Sequence, residues 1–416
     1  MSETVVVTGM GVVTSLGQGR QANWAALMAG RCGIRRITRF PTDALRTAIA
    51  GTVDFLPQSG DTAPVLTEEL ARLAAEEALA TAGLGTPGHF PGPLFLAVPP
   101  VEMDWRIRLA IGAGCDDPAH LGYDDLINAT WRHGELTDPF LFGTIAQSLA
   151  DRFGTTGSPV SLSTACASGA TAIQLAVEAI QRGETDAALA IGSDGSITPE
   201  AVIRFSLLSA LSTRNDTPES AARPFAKGRE GFVMAEGAGA LVLESLTAAR
   251  ARGATILGVI SGCGEMADMF HRTRSSPDGH AIIGAMRNAI EAAGLTPDDI
   301  DYINAHGTGT PENDKMECLG VMAVFGERAK DIPISSNKSM VGHTLSAAGA
   351  VEAVFSLMTL QNQRIPPTIN YNVPDPAIPL DVVPNAARDA KLRHAISNSF
   401  GFGGQNVSLV MGPEPA

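Results

Sequence analysis

Val160-Ser161-Leu162-Ser163-Thr164-Ala165-Cys166-Ala167-Ser168-Gly169-Ala170 decides how this 416-residue chain is read. A β-prone run, Val160–Thr164, leads into the Ala-rich stretch Ala167–Arg182, so Cys166 stands where a strand turns into a helix. A thiolate placed there faces unpaired backbone N–H groups and the positive end of the helix dipole, which favour the anion. Two histidines lie far downstream in glycine-rich loops. His306 is in Asn304-Ala305-His306-Gly307-Thr308-Gly309-Thr310-Pro311, and His343 is in Lys338-Ser339-Met340-Val341-Gly342-His343. An ionisable thiol, two imidazoles and an ammonium suit acyl transfer through a covalent thioester, not phosphate chemistry or metal binding.

Outward from that corner, short β-branched strands alternate with Ala-rich helices, the pattern of an α/β protein with largely parallel, buried sheets. Strands are expected at Val5–Val7, Ala187–Ile191, Ala240–Leu243, Leu257–Ser261, Tyr302–Ala305, His394–Asn398 and Val407–Met411. Helices are expected at Thr67–Ala82, Ala167–Arg182, Ala281–Ala293 and Ala347–Leu360. The order of elements runs twice, giving halves 1–250 and 251–416, each with an opening strand, a reactive corner (Cys166; His306) and late strands. No low-complexity linker separates the halves. Residues 98–135, with Trp105, Cys115 and Trp131, fit the pattern poorly and read as an excursion.

Composition narrows the setting. With 44% apolar and 18% charged residues and 44 glycines, the chain is well buried and loop-rich. Met1–Thr4 runs straight into a strand with no basic and apolar leader, and no apolar run reaches 18 residues. Neither a signal peptide nor a membrane span is expected. Five cysteines, odd in number and widely spaced, suggest neither a disulfide framework nor a metal site, and a reducing cytoplasm is the expected home. A net charge of −14 argues against nucleic acid or an anionic membrane as the main partner.

A lone cysteine is most often a buried structural residue, a loop histidine often caps its own turn, and a lysine is usually at the surface. The three motifs together outweigh those readings. Near the C-terminus, Asn398-Ser399-Phe400-Gly401-Phe402-Gly403-Gly404 is glycine-rich enough to bring a backbone N–H to a developing oxyanion. Lys338 would disfavour imidazolium at His343 and keep a neutral N–H donor ready.

At these residues the chain resembles the β-ketoacyl-acyl carrier protein synthases, condensing enzymes of the thiolase superfamily, and is most similar to the elongating Cys-His-His type. The motifs that carry the likeness are Thr164–Gly169, Leu211–Asn215, Arg229–Val233, His306–Pro311, Lys338–His343 and the Gly401–Gly404 loop. The resemblance implies a thiolase-like fold, two pseudo-repeated α/β halves in five αβαβα layers. It implies that Cys166 accepts an acyl group from acyl-carrier-protein phosphopantetheine, with the N–H groups of Cys166 and Phe402 holding the oxyanion. His306 and His343 would hold the thioester carbonyl of malonyl-carrier protein while CO2 leaves, and the resulting carbanion would attack the acyl-cysteine. Lys338 would organise the histidines, with Glu317 as its ion-pair partner. Thr308 and Thr310 match positions that hold the pantetheine arm, Phe232 one beside the malonyl group, and Phe402 the gate over the acyl pocket. Phe205 and Phe400 are further substrate-binding positions. No resident cofactor or metal is implied, since 4′-phosphopantetheine arrives on the carrier. A homodimer is expected, or a heterodimer with a second synthase.

The implied activity is fatty acid chain elongation, with a specialised or very long acyl chain within reach. A polyketide-type ketosynthase and a weakly active subunit of a synthase pair remain alternatives. Ala97-Val98-Pro99-Pro100 stands where the family has a glycine-rich segment that closes the partner's acyl tunnel, so chain length does not carry over. Relatives are basic around the tunnel mouth because carrier proteins are acidic. Here Glu135, Leu136 and Ser209 occupy such positions and Thr67–Ala82 offers only Arg72, leaving Arg204, Arg214, Lys227, Arg272 and Arg274. That shortage points to a specialised carrier or to a partner subunit supplying the basic patch.

Overall fold

A computed structural model describes residues 3–57, 62–86, 88–100, 102–115, 119, 120 and 122–415. In the first half the main elements are β1 (Val5–Thr14), α1 (Ala63–Ala82), β2 (Leu94–Ala97), α2 (Trp105–Ala113), α3 (Tyr123–Arg132), β3 (Val160–Leu162), α4 (Ser168–Gln181), β4 (Ala187–Asp194), α5 (Pro199–Leu207) and β5 (Gly237–Ser245). The second half continues with β6 (Gly258–Ala267), α6 (His280–Ala292), β7 (Tyr302–Asn304), α7 (Pro311–Phe325), β8 (Pro333–Ser335), α8 (Ala348–Asn362), β9 (Ala395–Phe400) and β10 (Gln405–Gly412).

The internal repeat is written in the strand order. The first sheet runs β3-β2-β4-β5-β1 and the second β8-β7-β9-β10-β6, so third, second, fourth, fifth and first strands line up in both. In each sheet the first three positions are mutually parallel, and the fifth strand is antiparallel to both neighbours. The sheets meet where Val6 and Val7 pair with Val259 and Gly258.

α4 and α8, which follow the third strand of each half, pack on one another between the two sheets and touch strands of both. α1 covers the outer face of the first sheet, and α6 that of the second with α7 packed beside it. This is the five-layered, thiolase-like architecture. The middle layer explains the composition of its helices: every residue of α8 from Ala348 to Thr359 is buried, Glu352 among them. The crossing of α4 and α8 depends on two glycines. A Cβ on Gly169 would lie 2.5 Å from the Ala350 amide nitrogen, and one on Gly349 would lie 2.4 Å from that of Ala170. Only residues without a Cβ allow so close an approach.

The topology corrects one expectation. Cys166 follows the third strand of its half, and its counterpart is the corner between β8 and α8, which carries His343 rather than His306. His306 follows the second strand, β7. The excursion is helical: α2 and α3 stand outside the sheets and present Trp105, Leu109, Tyr123 and Trp131 to solvent, Trp131 at 83% exposure. No helix among the described residues is long and apolar enough to cross a membrane.

Candidate active site

Cys166 is aimed by a strained corner. Ala165 adopts φ of 50°, a left-handed conformation that a residue with a Cβ rarely takes. Ser168 fastens it: its hydroxyl donates to the Ala165 carbonyl (2.6 Å) and accepts the Thr164 N–H (2.8 Å). The sulfur is thereby held at the amino end of α4. Burial pushes the thiol up to about 11, opposed by a hydrogen bond from the Phe402 N–H and by the charge of Lys338. The helix end also favours the thiolate. Gly401 lets the Phe402 loop come this close, because a Cβ there would meet the Thr164 carbonyl at 2.9 Å.

The two histidines arrive from separate loops of the second half. Glu317 on α7 fixes the His306 loop, accepting the backbone N–H groups of His306 (2.8 Å) and Gly307 (2.7 Å) and the Asn398 side-chain amide (3.2 Å). His343 is tied to the first half through its backbone N–H, which donates to the Val233 carbonyl at 2.7 Å. Its Nδ1 accepts the Leu345 N–H at 3.2 Å, so the neutral ring carries its hydrogen on Nε2. That Nε2 and Nδ1 of His306 are buried without a partner among the described residues. Burial, and then the charge of Lys338, hold both imidazoles well below the usual range, with His343 adding to the effect at His306. Two neutral rings stand 5.3 Å apart, edge to face.

Lys338 does not pair with Glu317, contrary to the sequence expectation. Its buried ammonium meets Glu352, one turn into α8, and Glu317 holds backbone instead. Burial pushes Glu352 up to about 7, opposed by Lys338, and likewise raises Glu317 to about 7 against its three N–H donors. Asp194, at the end of β4, is a further buried group that the sequence reading missed. It accepts the N–H of Ser346 at 3.1 Å and that of Ser196 at 3.1 Å, tying the end of β4 to the His343 corner.

A cavity of about 350 Å³ opens onto these groups. Cys166, His306, His343, Thr308, Thr310, Phe232, Phe400 and Phe402 all line it. Phe205 does not. It backs Phe232 edge-on at 5.6 Å, and Phe232 in turn packs on His343 at 5.3 Å. Thr308 and Thr310 share a hydrogen bond of 2.9 Å, and Thr310 also caps α7 by accepting the Asn313 N–H.

Donor atoms of Cys166, His306 and His343 lie within 4.8 Å of one another. A thiolate and two imidazoles at that spacing are also a three-ligand metal set. The Leu345 N–H weighs against that use, because it leaves Nε2 of His343 a hydrogen donor, and the Lys338 charge weighs against a dication. The Nε2–H of His343 and a second neutral imidazole beside a sulfur instead suit a carbonyl oxygen that gains charge while carbon forms a bond at the sulfur's acyl group.

Comparison with known proteins gives a consistent result. Residues 2–249 match the model of the beta-ketoacyl synthase N-terminal domain, and residues 257–372 that of its C-terminal domain. A 3-oxoacyl-[acyl-carrier-protein] synthase 2 of Coxiella burnetii is 37% identical, with 98% of each chain covered. A protein assigned as polyketide beta-ketoacyl synthase 1 in Streptomyces cyaneus is 39% identical, with 99% of each covered. Among solved structures, a beta-ketoacyl synthase from Burkholderia phymatum superposes with a TM-score of 0.85 at 34% identity, covering 99% of this chain and 100% of that one. The ishigamide ketosynthase/chain length factor gives 0.86 at 33%, with both chains fully covered. The chain belongs to the β-ketoacyl synthase family, acyltransferases of the thiolase superfamily that act as condensing enzymes.

Proposed function

We propose that this chain elongates an acyl group on a carrier protein by decarboxylative Claisen condensation. The supporting observation is the convergence of Cys166, His306 and His343 within 4.8 Å, with the Phe402 N–H already on the sulfur. Cys166 attacks the acyl thioester carbonyl, the phosphopantetheine thiol leaves with the proton, and the acyl group stays on sulfur. A malonyl thioester then enters with its carbonyl oxygen between the two imidazoles. Loss of CO2 leaves the electron pair as an enolate, which hydrogen bonds from neutral histidines stabilise. Its carbon attacks the acyl-cysteine carbonyl, and the backbone N–H groups of Cys166 and Phe402 take the oxyanion. Collapse expels the Cys166 thiolate and releases a 3-oxoacyl thioester two carbons longer. Thr308 and Thr310 flank the arm, Phe232 and Phe400 wall the reacting carbons, and Phe402 stands over the acyl group. Lys338 keeps both rings neutral and Glu317 keeps His306 in place. The donor set favours this use of the three side chains over a metal.

The 37% identity to 3-oxoacyl-[acyl-carrier-protein] synthase 2 supports a place in fatty acid elongation. A polyketide role is favoured by the 39% relative and by the likeness to the ishigamide ketosynthase/chain length factor. The apolar face of α2 and α3 supports pairing with a second synthase-type chain. Product analysis separates the readings. Purified protein given acyl- and malonyl-carrier protein releases one 3-oxoacyl chain if it serves fatty acid synthesis, and a chain extended several times without reduction if it serves polyketide synthesis. No product of either kind, with or without a partner subunit, would overturn the proposal.

A further inference from the structure

The corners before α4 and α8 are built alike. Aligned on the crossing glycines, Thr164-Ala165-Cys166-Ala167-Ser168-Gly169-Ala170 matches Thr344-Leu345-Ser346-Ala347-Ala348-Gly349-Ala350. Ala165, at φ of 50°, has its counterpart in Leu345 at 47°, so both corners bend through a left-handed residue that carries a side chain. Ser346 is therefore the counterpart of Cys166. Each stands two residues ahead of its helix.

Each corner is completed by the fourth strand of the other half. β9 ends at Phe400, and the loop after it brings the Phe402 N–H to the Cys166 sulfur. β4 ends at Asp194, whose Oδ2 accepts the Ser346 N–H at 3.1 Å. Its Oδ1 accepts the Ser196 N–H at 3.1 Å and the Ser196 hydroxyl at 2.5 Å. Gly192 permits this approach, because a Cβ there would lie 3.1 Å from the Gly169 Cα and 3.3 Å from that of Ala347. Asp194 is buried and forms no ion pair among the described residues. It is a resident anion on the N–H that corresponds to that of Cys166.

We propose that Asp194 is a positioning residue for His343. The inference rests on the ketosynthase reading and deepens it. Leu345, whose N–H sets the tautomer of His343, directly precedes Ser346. By holding the Ser346 N–H, the carboxylate fixes the strained Leu345, and with it the turn that leaves Nε2 of His343 the hydrogen donor. Without the carboxylate that N–H loses its acceptor in a buried site, and the strain at Leu345 is free to relax. His343 serves the condensing step, so the loss falls there and not on acyl transfer to Cys166.

The test is Asp194→Asn, measured in two half reactions and two backgrounds. Octanoyl-pantetheine reports acylation of Cys166, and malonyl-pantetheine reports decarboxylation by the acylated enzyme. Asp194→Asn is expected to lower kcat for decarboxylation by on the order of 10² while sparing KM and acylation. In a His343→Ala background it is expected to leave the residual rate unchanged, whereas a general loosening of the fold would lower it again. Ser196→Ala removes one donor to the same carboxylate and is expected to give a smaller loss with the same split. If circular dichroism shows Asp194→Asn unfolded, Ser196→Ala alone decides. A loss shared by acylation in a folded variant, an equal loss in both backgrounds, or wild-type decarboxylation would overturn the role of Asp194 and leave the ketosynthase reading intact. A wild type that neither acylates nor decarboxylates would overturn the reading itself, and the proposal with it.

Discussion

Gly349→Ala separates the contribution of helix packing from that of the reacting groups. The new methyl would lie 2.4 Å from the Ala170 nitrogen, 2.8 Å from its Cβ and 3.0 Å from its Cα, where ordinary contact begins at 3.4 Å. Ala170 is part of a buried helix with nowhere to yield, so α4 and α8 must part by about 1 Å. In an unconstrained helix the same change would stabilise by about 1 kcal/mol through propensity. Overpacking costs about 1–3 kcal/mol, which leaves a small net loss of stability. The chemical loss is larger, because α4 follows the Cys166 corner and α8 the His343 corner, and a 1 Å misplacement costs on the order of 10² in rate. Thermal unfolding and malonyl-thioester decarboxylation on acylated enzyme measure the two effects. A variant that unfolds at a higher temperature than wild type and condenses at the same rate would refute this account of the middle layer.

Other consequences concern charge. Burial holds the Cys166 thiol up near 11, so its alkylation by iodoacetamide should keep rising beyond pH 9, where an ordinary thiol levels off. Lys338→Met removes a charge that lowers the thiol and both imidazoles, so alkylation should slow and the acid limb of condensation should move to higher pH. It also strands Glu352 in the core and should cost about 3–5 kcal/mol in a denaturant titration, much of it recovered in Lys338→Met/Glu352→Leu. Glu317→Gln turns an N–H₂ toward an N–H donor and should cost about 1–3 kcal/mol, impairing condensation more than acylation of Cys166. Glu317 ionises near 7 in the fold and near 4.5 when unfolded, so its proton stabilises the fold fully below 4.5. That contribution is lost as pH rises through 7, and Glu317→Gln should flatten stability against pH over this window.

The Cys166 corner and both histidine loops were legible because each combines a chemical residue with the small residues its geometry needs. The α/β class followed from Ala-rich helices and β-branched strands, and α1, α4, α6 and α8 lie within a few residues of their expected bounds. α7 was missed because its buried face mixes Asp314, Glu317 and Gly320 with Met316, Val321 and Val324, so the pattern of apolar residues shows no helical period. The strands β2 and β8, of four and three residues, are too short to show a period. The partner of Lys338 was misassigned because Glu317 and Glu352 are both buried carboxylates, and sequence spacing does not say which helix faces the lysine. A lone acidic residue in the otherwise uncharged α8 was the available signal for Glu352. Asp194 gave a similar one, as the only charge on a fully buried strand.

Intact-protein mass spectrometry of the chain with an acyl-carrier thioester, followed by malonyl-carrier protein, tests the central claim most directly. A single acyl adduct that is absent in Cys166→Ala, and that discharges as a two-carbon-longer product in wild type but persists in His343→Ala, is the predicted result. An adduct that survives Cys166→Ala, or one that discharges equally well without His343, would contradict it.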